Sequence, residues 1–168
     1  MQPLYDRDSV AFMWQELDTI GVKPLTTAEE VDQALSEKAG TTLMVVNSVC
    51  GCAAGAARPA IALALQNKKI PDRLYTVFAG VDREATERAR RYMTGILPSS
   101  PSAALFKDGK LVHMVNRHDI EGIPFGEIVQ NFIDAFNANC GRKGPSVAPG
   151  VVRSTFNMPE NILKLVTS

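Results

Sequence analysis

Leu43 to Pro59 reads L-M-V-V-N-S-V-C-G-C-A-A-G-A-A-R-P, and this stretch decides the fold. Leu43 to Val46 is an apolar run rich in β-branched residues, which predicts a buried strand. The Ala-rich segment after Cys52 predicts a helix. Cys50 and Cys52 therefore fall at a strand-to-helix turn. A helix N-terminus leaves backbone N–H groups unpaired and carries partial positive charge, so it favours a thiolate over a thiol. No acidic residue occurs between Glu37 and Asp72, and the charges in that window, Arg58, Lys68 and Lys69 among them, are all basic. Nothing close in sequence opposes an anion at the turn.

Outward from this centre, Pro59 removes a backbone donor and clashes with the carbonyl four residues earlier, which predicts a kink between Gly55 and Pro59. On the N-terminal side, Thr27 and Glu30 form a capping box for a helix carrying Val31, Ala34 and Leu35 inward to a stop by Gly40. Before it, Ser9 is positioned to cap a helix to about Ile20, with Val10, Met13, Trp14, Leu17 and Ile20 on one face as core residues. On the C-terminal side, Leu74 to Val81 predicts a second apolar strand. Asp82 then caps a charged helix, Arg83 to Met93, whose Glu84, Glu87, Arg88, Arg90 and Arg91 read as a solvated surface. Ala103 to Phe106 and Leu111 to Val115, joined through Asp108-Gly109, predict a hairpin. Pro124 suits the first turn of a helix that buries Ile128, Val129, Phe132, Ile133 and Phe136. Strands alternating with helices ahead of a terminal hairpin and helix indicate an α/β domain with a mixed sheet flanked by helices. Gly141 to Gly150 has the composition of a linker. After it, Val151 to Phe156 reads as extended and Glu160 to Val166 as a short helix.

The 168 residues suffice for one packed core. Lys plus Arg and Asp plus Glu both number 18, so no basic field exists to hold nucleic acid or an anionic membrane. The start M-Q-P-L-Y-D-R-D lacks a basic flank and an apolar run, and no stretch approaches the roughly 20 apolar residues of a bilayer span. A cytoplasmic location is expected. Three cysteines make no disulfide scaffold, and in a reducing compartment a close pair points to catalysis or metal.

The order of elements resembles the thioredoxin fold with an extra N-terminal helix. P-S-A-A-L-F-K-D-G-K, Pro101 to Lys110, is similar to the segment in which thioredoxin-like proteins carry a cis-proline facing the active cysteine, and so implies that role for Pro101. Within that group the chain resembles the bacilliredoxins, which have C-G-C in place of C-x-x-C. The match rests on N-S-V-C-G-C-A-A-G (Asn47 to Gly55) with Ala57-Arg58-Pro59, on F-A-G (Phe78 to Gly80), and on P-S-S-P-S (Pro98 to Ser102). It also includes the run His118-Asp119-Ile120-Glu121-Gly122. It covers about Ser9 to Cys140, which places a thioredoxin-like domain at 1–140 and a linker with an extension of open role at 141–168. The resemblance implies removal of the low-molecular-weight thiol bacillithiol, or a relative, from mixed disulfides on client proteins. The redox-active cysteines and that small thiol as co-substrate take the place of a cofactor. It also implies that Asn47, Gly51, Arg58 and Pro101 receive the substrate.

Exchange chemistry needs an accessible thiolate and a second thiol close enough to attack the mixed disulfide that forms. Cys50, at the turn, is the expected nucleophile, and Cys52, leading into the helix, the expected resolving thiol. Gly51 is expected to ease closure of the small C-x-C ring through unusual backbone angles. No carboxylate lies on the strand to relay protons; it offers Asn47 and Ser48. The competing reading is a non-enzymatic metal- or thiol-binding module. It would recruit His113, His118 or Cys140 to complete a tetrahedral site.

Overall fold

The apolar run at the centre of the chain becomes the centre of the sheet. The computed structural model describes residues 1–167. Helix α1 (Ala11–Thr19) leads into strand β1 (Lys23–Pro24), and helix α2 (Ala28–Leu35) into β2 (Thr41–Asn47). After the cysteines come a π-helical segment, Ala53–Ala57, and α3 (Arg58–Ala64), followed by β3 (Lys69–Ile70) and β4 (Arg73–Phe78). Helix α4 (Arg83–Tyr92) precedes the hairpin β5 (Ser102–Lys107) and β6 (Lys110–Val115). The chain closes with α5 (Phe125–Asn139), β7 (Arg142–Lys143), α6 (Pro149–Phe156) and α7 (Glu160–Thr167).

The main sheet has the order β1-β4-β2-β5-β6. β1 and β2 run parallel to β4, whereas β5 is antiparallel to both β2 and β6. All seven residues of β2 are buried, because both faces of the central strand are covered; such strands read as continuous apolar runs rather than alternating ones. Leu43 and Val45 point into a core shared with α1, α3, α5, α6 and α7. Met44 and Val46 point into a second core under α2 and α4. The hairpin turn has positive φ at both Asp108 (51°) and Gly109 (80°), the type I′ geometry that matches strand twist and that an Asp-Gly pair adopts at little cost.

The Thr27–Glu30 capping box forms as the sequence predicts. Two other caps do not. Ser9 lies before the helix and donates its N–H to the Asp6 carboxylate at 3.0 Å. Asp82 stands at the N-cap of α4 but gives its carboxylate to Arg7 instead of to the helix. In both cases a tertiary or turn partner outcompetes the local cap. The expected kink at Pro59 takes the form of a π turn, in which the Arg58 N–H bonds to the Ala53 carbonyl. One extra residue widens the turn and relieves the clash that proline brings to an α-helix.

Composition read Gly141 to Gly150 as a linker, yet this segment is held along its length. β7 pairs antiparallel with β3. The Gly144 N–H donates to the Lys68 carbonyl at 2.9 Å, the Ser146 N–H to that of Leu65 at 3.0 Å, and Ser146 Oγ to that of Ile20 at 2.8 Å. Val151 to Phe156 is helical, not extended; Pro149 supplies the preset first-turn φ and Asn157, at φ 50°, closes the helix left-handed. Val152, Met158 and Leu163 enter the core beside α1 and α3. The expected helix from Glu160 is present as α7, and Ser168 lies outside the described residues.

Candidate active site

β2 pairs with β4 up to Asn47 opposite Phe78, and with β5 up to Val46 opposite Ser102. The loop Ser48–Cys50 therefore leaves the sheet between the end of one strand and the start of the other, where Pro101 stands. The Cys50 carbonyl accepts the N–H groups of Ala53 (3.1 Å) and Ala54 (3.3 Å), which makes Cys50 the residue that opens the helix. Its own N–H donates to Ser48 Oγ at 3.3 Å. Cys52 already has helical angles. The two sulfurs lie 2.8 Å apart, both partly exposed and both free.

The two thiols have opposite electrostatic settings. Partial burial pushes Cys50 up, but hydrogen bonds from the Cys52 thiol, Ser48 and the backbone N–H groups of Ala53 and Cys52 outweigh it and hold Cys50 below the ordinary thiol value. Cys52 is raised by burial, by its bond to Cys50 and by the Cys50 charge; Arg117 pulls it down and Glu121 pushes it up. The pair thus favours a thiolate on Cys50 and a proton on Cys52.

Below the loop lies a charge network that the sequence reading placed elsewhere. Arg58 and Asn47 are each 1% exposed, so neither reaches a surface that a substrate touches. Arg58 Nε donates to Glu16 Oε2 at 2.9 Å, and its Nη1 donates to Asn47 Oδ1 at 3.2 Å and to the Ser48 carbonyl at 3.1 Å. Asn47 in turn accepts the Ser48 N–H at 2.9 Å and donates Nδ2 to the Met13 carbonyl at 3.0 Å. Both residues brace the loop from within. Gly51 is exposed, has an ordinary φ and would meet nothing within 4 Å if it carried a Cβ. Its conformation is open to any residue, so the expected unusual angles are not used with both cysteines free. The Ser100–Pro101 peptide is cis, as the resemblance implied, and Pro101 is buried at the start of β5.

Sequence reasoning missed Arg117. Its Nη1 donates to the Ser100 carbonyl at 3.3 Å, its N–H to Ser99 Oγ at 3.2 Å and its Nε to Glu121 at 2.9 Å. The guanidinium ties the loop before Pro101 to the turn that carries Glu121, while its charge acts on both cysteines. The only local signal was its place beside the His118-Asp119 run. The proposed extra ligands stand elsewhere: His113 Nε2 is bonded to Asn131 Oδ1 at 2.7 Å, His118 is exposed beside Asp119, and Cys140 is buried, its thiol pushed up to about 11 by that burial. Among the described residues no group of three or more His, Cys, Asp or Glu is placed to hold a metal ion. Nor is any described helix long and apolar enough to cross a membrane.

A free dithiol opening a helix at the end of the central strand of a β1-β4-β2-β5-β6 sheet defines a redox protein of the thioredoxin fold. Residues 5–140 match the family model described as disulphide isomerase. Over 137 residues the chain is 51% identical to a bacilliredoxin of Staphylococcus epidermidis and 50% identical to bacilliredoxins of Staphylococcus aureus. Each alignment covers 82% of this chain and 94% of the relative. The chain belongs to the bacilliredoxin family. Solved structures similar to it include a putative oxidoreductase with a thioredoxin fold (16% identity, TM-score 0.47, 66% of this chain and 93% of that one). Another is a thioredoxin of Malassezia sympodialis (14% identity, TM-score 0.48, 70% and 90%).

Proposed function

We propose that this protein is a thiol–disulfide oxidoreductase that removes a low-molecular-weight thiol, bacillithiol or a relative, from mixed disulfides on client proteins in a reducing compartment such as the cytoplasm. The observation that carries this reading is the pair of sulfurs 2.8 Å apart in opposite settings, Cys50 favoured as thiolate and Cys52 as thiol. The Cys50 thiolate attacks the small-thiol sulfur of the mixed disulfide. A Cys50–small-thiol disulfide forms, and the client sulfur leaves as a thiolate that takes a proton from solvent. Formation of that bond removes the negative charge on Cys50 that had raised Cys52, so Cys52 loses its proton more readily. Its thiolate attacks Cys50 Sγ, expels the small thiol and leaves a Cys50–Cys52 disulfide. An external thiol or dithiol must then supply two electrons to restore the pair.

The test uses a client protein capped with the small thiol, mixed with single variants and followed by intact mass. Cys52→Ser should accept the cap and accumulate the adduct on Cys50, and Cys50→Ser should accept none. Removal of the cap by Cys50→Ser at the wild-type rate, with Cys52→Ser inert, would reverse the assigned roles.

A further inference from the structure

Helix α4 was expected to present a solvated charged face, but part of that face lines a cleft. Arg83, Glu87, Arg90 and Arg91 recur at i, i+4, i+7 and i+8, which places them on one side of the helix. Together with Met1, Leu4 and Pro98 they line an open cleft of about 580 Å³, within the roughly 300–1,000 Å³ range of small-molecule sites. Three guanidiniums face one carboxylate, an excess of two positive charges. None of the three makes an ion pair with a described residue, although Arg83 donates to the Gln2 carbonyl. Arg90 is half-buried, and its Nε has no hydrogen-bond partner; the same holds for Oγ1 of Thr86, a buried residue of the cleft wall. Burial also pushes the Arg90 guanidinium below its ordinary value. A half-buried cation without a counter-charge is costly, and an oxyanion making charge-assisted bonds to it removes that cost.

We infer that this cleft is a binding site for a small polyanion, a molecule bearing two or more carboxylate or phosphate groups, held by Arg83, Arg90 and Arg91. Leu4 and Pro98 form the apolar side, so a short carbon skeleton fits between the charged groups. Gly80, on the rim, follows β4, and Pro98 precedes β5. The cleft therefore opens at the sheet edge that carries Cys50, from the face opposite α3. It is distinct from the dithiol, and the inference does not depend on the exchange reaction.

The full-length protein with reduced cysteines is titrated with citrate, and separately with pyrophosphate, at ionic strength held constant with sodium chloride. The readouts are the arginine Nε–Hε and Gly80 amide resonances. A saturable one-to-one shift centred on Arg90 is expected. Replacing both Arg90 and Arg91 with Gln should weaken it at least about tenfold, the loss of a charge-assisted bond or two. Citrate alone saturating identifies carboxylates, pyrophosphate alone identifies phosphates, and both identify the shared chemistry. The inference is overturned if neither anion shifts Arg90 beyond chloride, or if the double variant binds as the wild type does. Should that variant fail to fold, the single change at the exposed Arg91 decides: unchanged affinity overturns, weakened affinity supports.

Discussion

Replacing Arg58 with Met should cost about 3 kcal/mol of folding stability and loosen the cysteine loop. Removing one partner of a buried ion pair typically costs about 3–5 kcal/mol, because the other charge is stranded. Here the stranded side chain is Glu16, which keeps 26% exposure and remains hydrated, so the lower end applies. The Ser48 carbonyl also loses a donor, whereas Asn47 Oδ1 still accepts the Ser48 N–H. For a chain of this size, about 3 kcal/mol corresponds to a fall of about 6–12 °C in melting temperature. Arg58→Lys keeps the charge but cannot fork to Glu16 and two oxygens at once, so it should cost roughly half as much. Glu16→Gln should cost about 1 kcal/mol, since the buried guanidinium retains its two neutral acceptors. Urea denaturation with matched slopes measures all three. The reasoning is refuted if Arg58→Met costs under about 1 kcal/mol, which would mean that the buried pair does not hold the loop, or if Glu16→Gln costs as much as Arg58→Met, which would mean that the Glu16 charge and not the two neutral acceptors sustains the buried guanidinium.

In a protein with Cys52 and Cys140 replaced by Ser, Cys50 should still titrate below the free-thiol value of about 8.5, by ultraviolet thiolate absorbance; a midpoint at or above that value contradicts the assigned setting. The wild-type Cys50 contribution to stability is present above about pH 8.5 and lost as pH falls through its lower folded value. Cys140 acts oppositely: its contribution is present below about 8.5 and lost as pH rises through about 11, so Cys140→Ser should flatten the alkaline loss seen in denaturant titrations. Arg117→Gln removes the charge that pulls Cys52 down, so the pH profile of the second exchange step should move to higher pH, most clearly at low salt; an unmoved profile contradicts it. Gly144→Ala would place a Cβ 1.9 Å from the Asn67 carbonyl oxygen, a contact with backbone that cannot swing aside. The segment from Gly141 to Gly150 should detach, with a loss of roughly 1–3 kcal/mol or more and fast amide exchange at Gly144 and Ser146; wild-type protection would refute it.

Most of the fold was legible because its signals are local. The β2 run, the Thr27–Glu30 box and the Asp108-Gly109 turn each carry their own geometry, and each forms where expected. Two of the failures share one cause, a distant partner that outcompetes a local preference. Asp82 abandons its helix for Arg7, 75 residues earlier. The segment after Cys140 has linker composition, yet its polar backbone finds partners in Lys68, Leu65 and Ile20. No window of sequence contains those partners. The place of the dithiol was equally legible, since the strand and helix signals on either side put both cysteines at one turn, where their sulfurs meet. Arg117 was not, because its action on Cys52 depends on a loop that folds back from the far side of the sheet.

Arg58 shows why the site needs its irregular helix. Its backbone N–H closes the π turn onto Ala53, while its side chain reaches back to Ser48 and Asn47, so one residue ties the helix start to the loop before Cys50. In an α-helix each residue advances about 100° around the axis, so the extra residue of the π turn rotates everything after it by about that amount relative to Cys52. After the turn the helix is buried on almost every side, Arg58, Ala60, Ile61, Ala62, Leu63 and Ala64 alike, so the direction that the rotation sets matters most for the polar side chain of Arg58. Pro59 favours the widened turn, and the five residues Ala53 to Ala57 are Ala or Gly, small enough for it to form against the sheet without displacing side chains. The composition that first marked this stretch as a helix is thus also what lets the helix deviate, and the deviation brings a buried cation to the back of the loop whose front carries the thiolate.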